Sequence, residues 1–247
     1  MNLLFDWIHR QTLAEWVVWS LLSNFAVAGS SIVACHLIHE RYADRPVFVA
    51  PQPLTTSDRW LAVMAITLNS VVSIAGWLLW KAGWITLTFP EWWRTLLDLA
   101  FLLLFMDAGM YVLHRFAHVR AFFRLIHQTH HVHESTNALS LFVLNPLEVL
   151  GFGALLLFAL VLFPISGIAL LAYLTLNIAF GTLGHAGVEP IPPGWFRFRL
   201  MRQIGTSTFH GLHHADPTHN FGFYTVVWDR LFRTIHPEYD LRTAHRR

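Results

Sequence analysis

The chain has a single cysteine, Cys35, and a single lysine, Lys81. One thiol excludes an internal disulfide and any multi-thiolate zinc or iron–sulfur site. With so little lysine and a formal net charge of only +2, there is no basic stripe of the kind that reads nucleic acid, so that partner class is excluded. Charge of either sign is scarce. Asp, Glu, Lys and Arg make up 13 % of the residues, against roughly 25 % in soluble domains. Hydrophobic residues make up 55 % and the mean hydropathy is +0.46, so polar side chains are too few to cover a water-facing surface. The first fifteen residues lack the basic-then-apolar run of a cleaved signal.

What the chain has in excess is apolar length and histidine. Apolar runs cover about 16–38, 60–80 and 95–113, each long enough to cross a hydrocarbon core of roughly 30 Å as helix. Eleven tryptophans and twenty phenylalanines suit a chain that meets lipid and its interface. Asp98 and Asp107 interrupt the third run, and acids at membrane depth are expected to face a protein interior and to serve function. A further run, 146–180, is apolar except for Glu148. It is longer than one span and carries Pro164 and Gly167 near its middle, so it reads as two short helices joined by a tight turn. The fold expected is an all-α multi-pass transmembrane helical bundle of about four spans, the last two a short hairpin. A cytoplasmic helical cap would carry the histidines.

Charge tests that topology. If the hairpin returns to its side of entry, the histidine-rich segments 114–145 and 181–247 share one face of the membrane. That face then holds fourteen arginines: 41, 45, 59, 115, 120, 124, 197, 199, 202, 230, 233, 242, 246 and 247. The other keeps Arg10, Lys81 and Arg94. Such a split matches the excess of basic residues on cytoplasmic loops. A single span at 146–180 would instead put a bilayer between the two segments.

The sixteen histidines outnumber the acids and fall in clusters: His114 and His118; His127, His130 and His131; His210, His213 and His214. On a helix, residues three and four apart lie on one face, so each cluster projects its imidazoles together. Neutral imidazole suits iron, zinc, copper or nickel, and eight ligands exceed what one tetrahedral zinc uses. Two ions account for them. Isolated histidines in an apolar chain are more often hydrogen-bonded core residues, and His9, His36, His39, His236 and His245 are read that way.

The stretch from Asp107 through Tyr111 to His114-Arg115-Phe-Ala-His118 resembles the first signature of the fatty acid hydroxylase/sterol desaturase superfamily, membrane enzymes with a non-heme di-iron centre. The segments 127–131 and 210–214 are similar to its second and third signatures. The third continues into Asn220-Phe-Gly222 and Trp228-Asp229-Arg-Leu-Phe232-Arg-Thr234, a tail more diagnostic than the histidines. The likeness covers about 107–237. It implies an N-terminal transmembrane region, 1–94, and a di-iron catalytic domain, 95–247. It also implies His114, His118, His127, His130, His131, His210, His213 and His214 as ligands, with His185 the ninth. Where some members have a second histidine after His185, this chain has Glu189, and Asn145-Pro146 stands where many have His-Pro. Asp107, Tyr111, Asn145, Glu189 and Asp229 are therefore expected around the ligands, with Asp107 and Asp229 accepting the other imidazole N–H groups. His133 and His219 fall outside the pattern.

The resemblance further implies two iron ions, O₂ as co-substrate, and oxidation of a C–H bond in a sterol, fatty acyl, sphingoid or alkylglycerol lipid. Electrons would come from an external donor of cytochrome b5 or ferredoxin type, since the chain shows neither a His-Pro-Gly-Gly heme segment nor a dinucleotide glycine fingerprint. Short loops without a fused electron-transfer domain point to a bacterial inner membrane, or to the endoplasmic reticulum in a eukaryote. The rival classes are a membrane metal transporter, whose ligands should lie near the bilayer midplane, and a zinc hydrolase, which would carry an acid as in HExxH. The clusters sit at span ends, and HExxH is absent.

Overall fold

Long apolar helices run back and forth through the computed structural model, which describes residues 3–48 and 53–244. His245, Arg246 and Arg247, the last two counted above on the cytoplasmic face, lie outside the described residues. A short helix α1 (Leu3–Arg10) precedes α2 (Leu13–Arg41), α3 (Thr56–Lys81) and α4 (Trp92–Ala117). The run at 146–180 divides into α6 (Pro146–Leu162) and α7 (Gly167–Gly184), following the small α5 (Arg120–Ile126). Three short helices close the chain: α8 (Ser207–Ala215), α9 (Val227–Phe232) and α10 (Pro237–Ala244). The only regular strands among the described residues are β1 (Leu87–Thr88) and β2 (Ile165–Ser166), which pair in parallel.

Local sequence sets the helix starts. Thr12 with Glu15, and Thr55 with Asp58, form reciprocal capping boxes at the heads of α2 and α3. Asn145 caps α6 through its side chain, with Pro146 in the first turn where no amide donor is needed. Helices α2, α3, α4 and α7 are long and apolar enough to cross a membrane, and α6, at 17 residues, is the shorter arm of the hairpin. The protein is a multi-pass integral membrane protein. Exposed Leu22, Val33, Leu37, Leu96, Leu104 and Phe158 clothe the helix exteriors, as lipid contact requires.

With no hydrophobic drive between helices in lipid, packing rests on small residues and hydroxyl contacts. Gly109 of α4 lies against Leu155 of α6, where a Cβ would come within 2.7 Å of Leu155 Cδ2. Ser31 and Thr182 hydroxyls meet at 2.7 Å across α2 and α7.

The two ends of the bundle differ. At one end Asp98 bonds Arg94 Nε (3.0 Å) and the Ser166 amide (2.8 Å). This membrane-depth acid therefore pins the α6–α7 turn and meets no histidine. The opposite end gathers the close of α2, the head of α3, the close of α4 and both outer ends of the hairpin. A bridge between Pro46 and Val188 ties the segment after α2 to the segment after α7, and the clustered histidines sit at this end.

Candidate metal centre

The nine histidines assigned from sequence converge into two adjoining groups. His114, His118, His127, His131 and His213 offer nitrogens that all lie within 4.8 Å of one another, and so do His130, His185, His210 and His214. The groups touch: the rings of His131 and His214 lie 4.8 Å apart, and those of His127 and His130 5.2 Å apart. Each HxxHH box straddles them. His127 and His131 enter one group and His130 the other, while His210 and His214 enter the second and His213 the first. The i,i+4 pair in each box thus shares a group and the remaining histidine crosses over.

Outer contacts fix the tautomers. Nδ1 of His114 bonds the Phe221 carbonyl at 2.8 Å, that of His213 the His219 carbonyl at 2.6 Å, and that of His214 the His133 carbonyl at 2.9 Å. His130 Nδ1 bonds the Val143 carbonyl at 3.3 Å and His185 Nδ1 the Ser140 hydroxyl at 2.8 Å. A carbonyl only accepts, so in a neutral ring bonded to one the proton is on Nδ1 and Nε2 presents a lone pair. Burial holds the rings outside the spans neutral, helped by the repulsion that crowded imidazoles would feel if protonated together. His118 and His131 are pushed down to about 2 and His130 to about 3, and His127, His185, His210, His213 and His214 fall well below the usual range.

The consequence is a set of lone pairs aimed at each other. Nε2 of His114 and His127 stand 2.9 Å apart, His131 and His213 3.1 Å, His185 and His210 3.0 Å, and His210 and His214 3.1 Å. His118 Nε2 is buried without a partner. Facing, unprotonated nitrogens repel unless a cation lies between them, and neutral imidazole is a ligand for first-row divalent metals. These residues fit a two-metal centre.

The stretch 99–234, more than half of the chain, matches the fatty acid hydroxylase family. The chain belongs to that family. Similar proteins include a Delta(7)-sterol 5(6)-desaturase of Eremothecium gossypii, 27 % identical over 56 % of this chain and 37 % of that protein. A cholesterol 25-hydroxylase-like protein of Danio rerio is 30 % identical over 59 % and 58 %. Methylsterol monooxygenase 1 of Rattus norvegicus is 26 % identical over 59 % and 48 %. Each alignment thus covers less than two thirds of the relative's own length. No solved structure matches.

Within this fatty acid hydroxylase family member, the other expected site residues stand one layer or more from the imidazoles. Asp107 touches none of them. Its carboxylate accepts from the Tyr224 and Thr225 amides (2.9 and 3.2 Å), the Thr225 hydroxyl and Trp228 Nε1. Seven residues along a helix is about 10 Å, beyond a carboxylate's reach to His114, so Asp107 ties the C-terminal segment to α4. Tyr111 bonds the Thr234 hydroxyl at 3.0 Å and stacks on Phe232. Asn145 caps α6, its side-chain oxygen accepting from the Leu147 amide at 2.9 Å. Glu189 accepts from the Thr208 amide at 3.0 Å, securing the first turn of α8. It lies in neither histidine group.

Asp229 acts through the backbone. It accepts from the amides of Phe221 (2.8 Å) and Gly222 (2.7 Å) and from the Thr234 hydroxyl (2.7 Å). It thereby sets the Phe221 carbonyl that orients His114. This explains the Asn-Phe-Gly and WDxxF pairing. Asn220 takes φ +60°, a left-handed conformation that asparagine tolerates better than most residues. Gly222 leaves no room for a Cβ beside the Thr225 carbonyl and Asp229 Oδ2.

Two close neighbours went unassigned from sequence. Glu148 Oε1 lies 2.8 Å from His127 Nδ1, both side chains being at most 4 % exposed. His133 lends its carbonyl to His214 and places its ring 3.3 Å from Asp58 at the head of α3. The signal for Glu148 was visible, as the lone acid of an apolar run.

Proposed function

We propose that the protein is an O₂-dependent membrane oxidoreductase that hydroxylates or desaturates a lipid C–H bond. The ligands would be His114, His118, His127, His131 and His213 at one iron, and His130, His185, His210 and His214 at the other. The catalytic unit is assigned to 95–247, backed by the transmembrane region 1–94. The observation that carries the proposal is the pair of adjoining imidazole groups, nine nitrogens with few hydrogen-bond donors among them, inside a membrane protein of this family. When bound, two irons would supply the O₂ activation and electron storage that an unactivated C–H bond demands.

The chain's own residues do the rest. Carbonyls of Phe221, His219, His133 and Val143 hold the rings in one tautomer. Burial keeps the rings neutral and water out. Histidine serves here as ligand rather than as acid or base. The site lies at the bundle end assigned to the cytoplasm, where a lipid enters from the bilayer and an external donor of cytochrome b5 or ferredoxin type delivers electrons. Sterols come first for testing, because the relatives cited are named for sterol chemistry.

The test is metal analysis of purified protein together with lipid mass spectrometry of a host with and without the gene. Two irons per chain and a lipid shifted by one oxygen or two hydrogens support the proposal. Full activity in metal-free protein, or zinc alone with hydrolysed products, ends it.

A further inference from the structure

Away from the imidazoles, a cavity of about 460 Å³ opens between α10 and the 3₁₀ turns Pro193–Arg197 and Met201–Gln203. α10 is fixed against α8 by Tyr239, whose ring meets Phe209 edge-on at 5.4 Å. Three guanidinium groups line the cavity, those of Arg199, Arg202 and Arg230, against one carboxylate, Asp240. Arg230 holds Asp240 through two bonds of 3.0 and 2.7 Å. Among the described residues, no carboxylate lies within ion-pair distance of Arg199 or Arg202. The cavity thus holds three cations against one acid and is short of negative charge. Guanidinium forks match the oxygens of a phosphate better than any other common anion except carboxylate.

The surroundings narrow the source of that phosphate. From 195 to 202 the chain reads Trp-Phe-Arg-Phe-Arg-Leu-Met-Arg. Trp195, Phe198 and Leu200 are 53, 51 and 72 % exposed, and Leu241 on the cavity wall is 58 % exposed. Exposed aromatic and aliphatic groups interleaved with arginine are what a membrane surface selects, the rings among acyl chains and the cations level with the headgroups. A soluble phosphate would call for no such apolar rim. We propose that this cavity binds the headgroup phosphate of an anionic phospholipid, whose acyl chains lie over Trp195, Phe198 and Leu200.

The test titrates the full-length protein, delipidated in uncharged detergent, with phosphatidylglycerol and with phosphatidylcholine, and counts retained lipid by native mass spectrometry. The expected result is a preference for phosphatidylglycerol of about tenfold or more. R199Q/R202Q should abolish it and R199K/R202K should keep most of it. R242Q, an exposed arginine paired with Glu238 outside the cavity, should leave it intact. Equal retention of the two lipids by the unaltered protein overturns the proposal, as does a preference that survives R199Q/R202Q or disappears equally in R242Q. Displacement of phosphatidylglycerol by millimolar inorganic phosphate also overturns it, in favour of a free anion.

Discussion

Replacing Glu148 by glutamine should loosen one of the two metals and spare the other. The substitution keeps the side chain's size and removes the negative charge that the carboxylate would carry opposite a bound metal. Glu148 lies 2.8 Å from His127 Nδ1, and the two side chains are only 4 and 2 % exposed, so solvent screens the contact weakly. A unit charge about 7 Å from the metal across one imidazole, at an effective dielectric near 20, is worth about 2 kcal/mol per unit of metal charge, about 4 to 5 kcal/mol for a divalent ion. Relaxation around the site offsets part of that, and removing a partner of a metal-bound histidine typically costs 10–100-fold in affinity, so roughly thirtyfold is expected. The assay equilibrates purified protein with graded chelator and counts metal by mass spectrometry. His127 belongs to the five-histidine group alone. E148Q should therefore release one metal at about thirtyfold lower chelator strength and hold the second at the unaltered strength. Parallel loss of both metals, or no change, would refute the electrostatic role assigned to Glu148.

Three further outcomes are expected. Gly222→Ala drives a Cβ into the Thr225 carbonyl and to 2.8 Å from Asp229 Oδ2, so it should lower stability by about 2 kcal/mol or more, read as a fall in Tm. Metal-stripped protein should weaken in acid. His118, His130 and His131 have folded-state pKa values of about 2 to 3, so below about pH 6.5 the unfolded chain takes up protons that the folded chain refuses. Each such ring then costs about 1.4 kcal/mol per pH unit as pH falls from there; a flat melting temperature between pH 7 and pH 5 would count against it. Finally, H118A and H185A should each perturb a different metal, H118A the five-histidine site and H185A the four-histidine one, distinguishable by the optical spectrum of the cobalt-substituted protein.

Much of this was legible in the amino-acid order because it is local. The spans follow from apolar length, and the α6–α7 turn from Pro164 and Gly167. The ligand candidates follow from i,i+3 and i,i+4 spacing. The carbonyl acceptors were not legible, since Phe221, Val143, His133 and His219 serve through backbone atoms that any side chain would supply. Asp107 shows the opposite limit. It is buried, as expected of an acid at membrane depth, but two turns of rise separate it from His114, and its partners lie 117 to 121 residues on. Glu148 was a visible anomaly whose partner only the folded hairpin reveals.

Because each HxxHH segment supplies both groups, neither group of imidazoles has a private scaffold. His213 shares α8 with His210 and His214, so a shift of that helix is passed to both groups. Exchange of a single ion should therefore be felt by its neighbour through the polypeptide itself, so that loading the first prepares the cradle for the second.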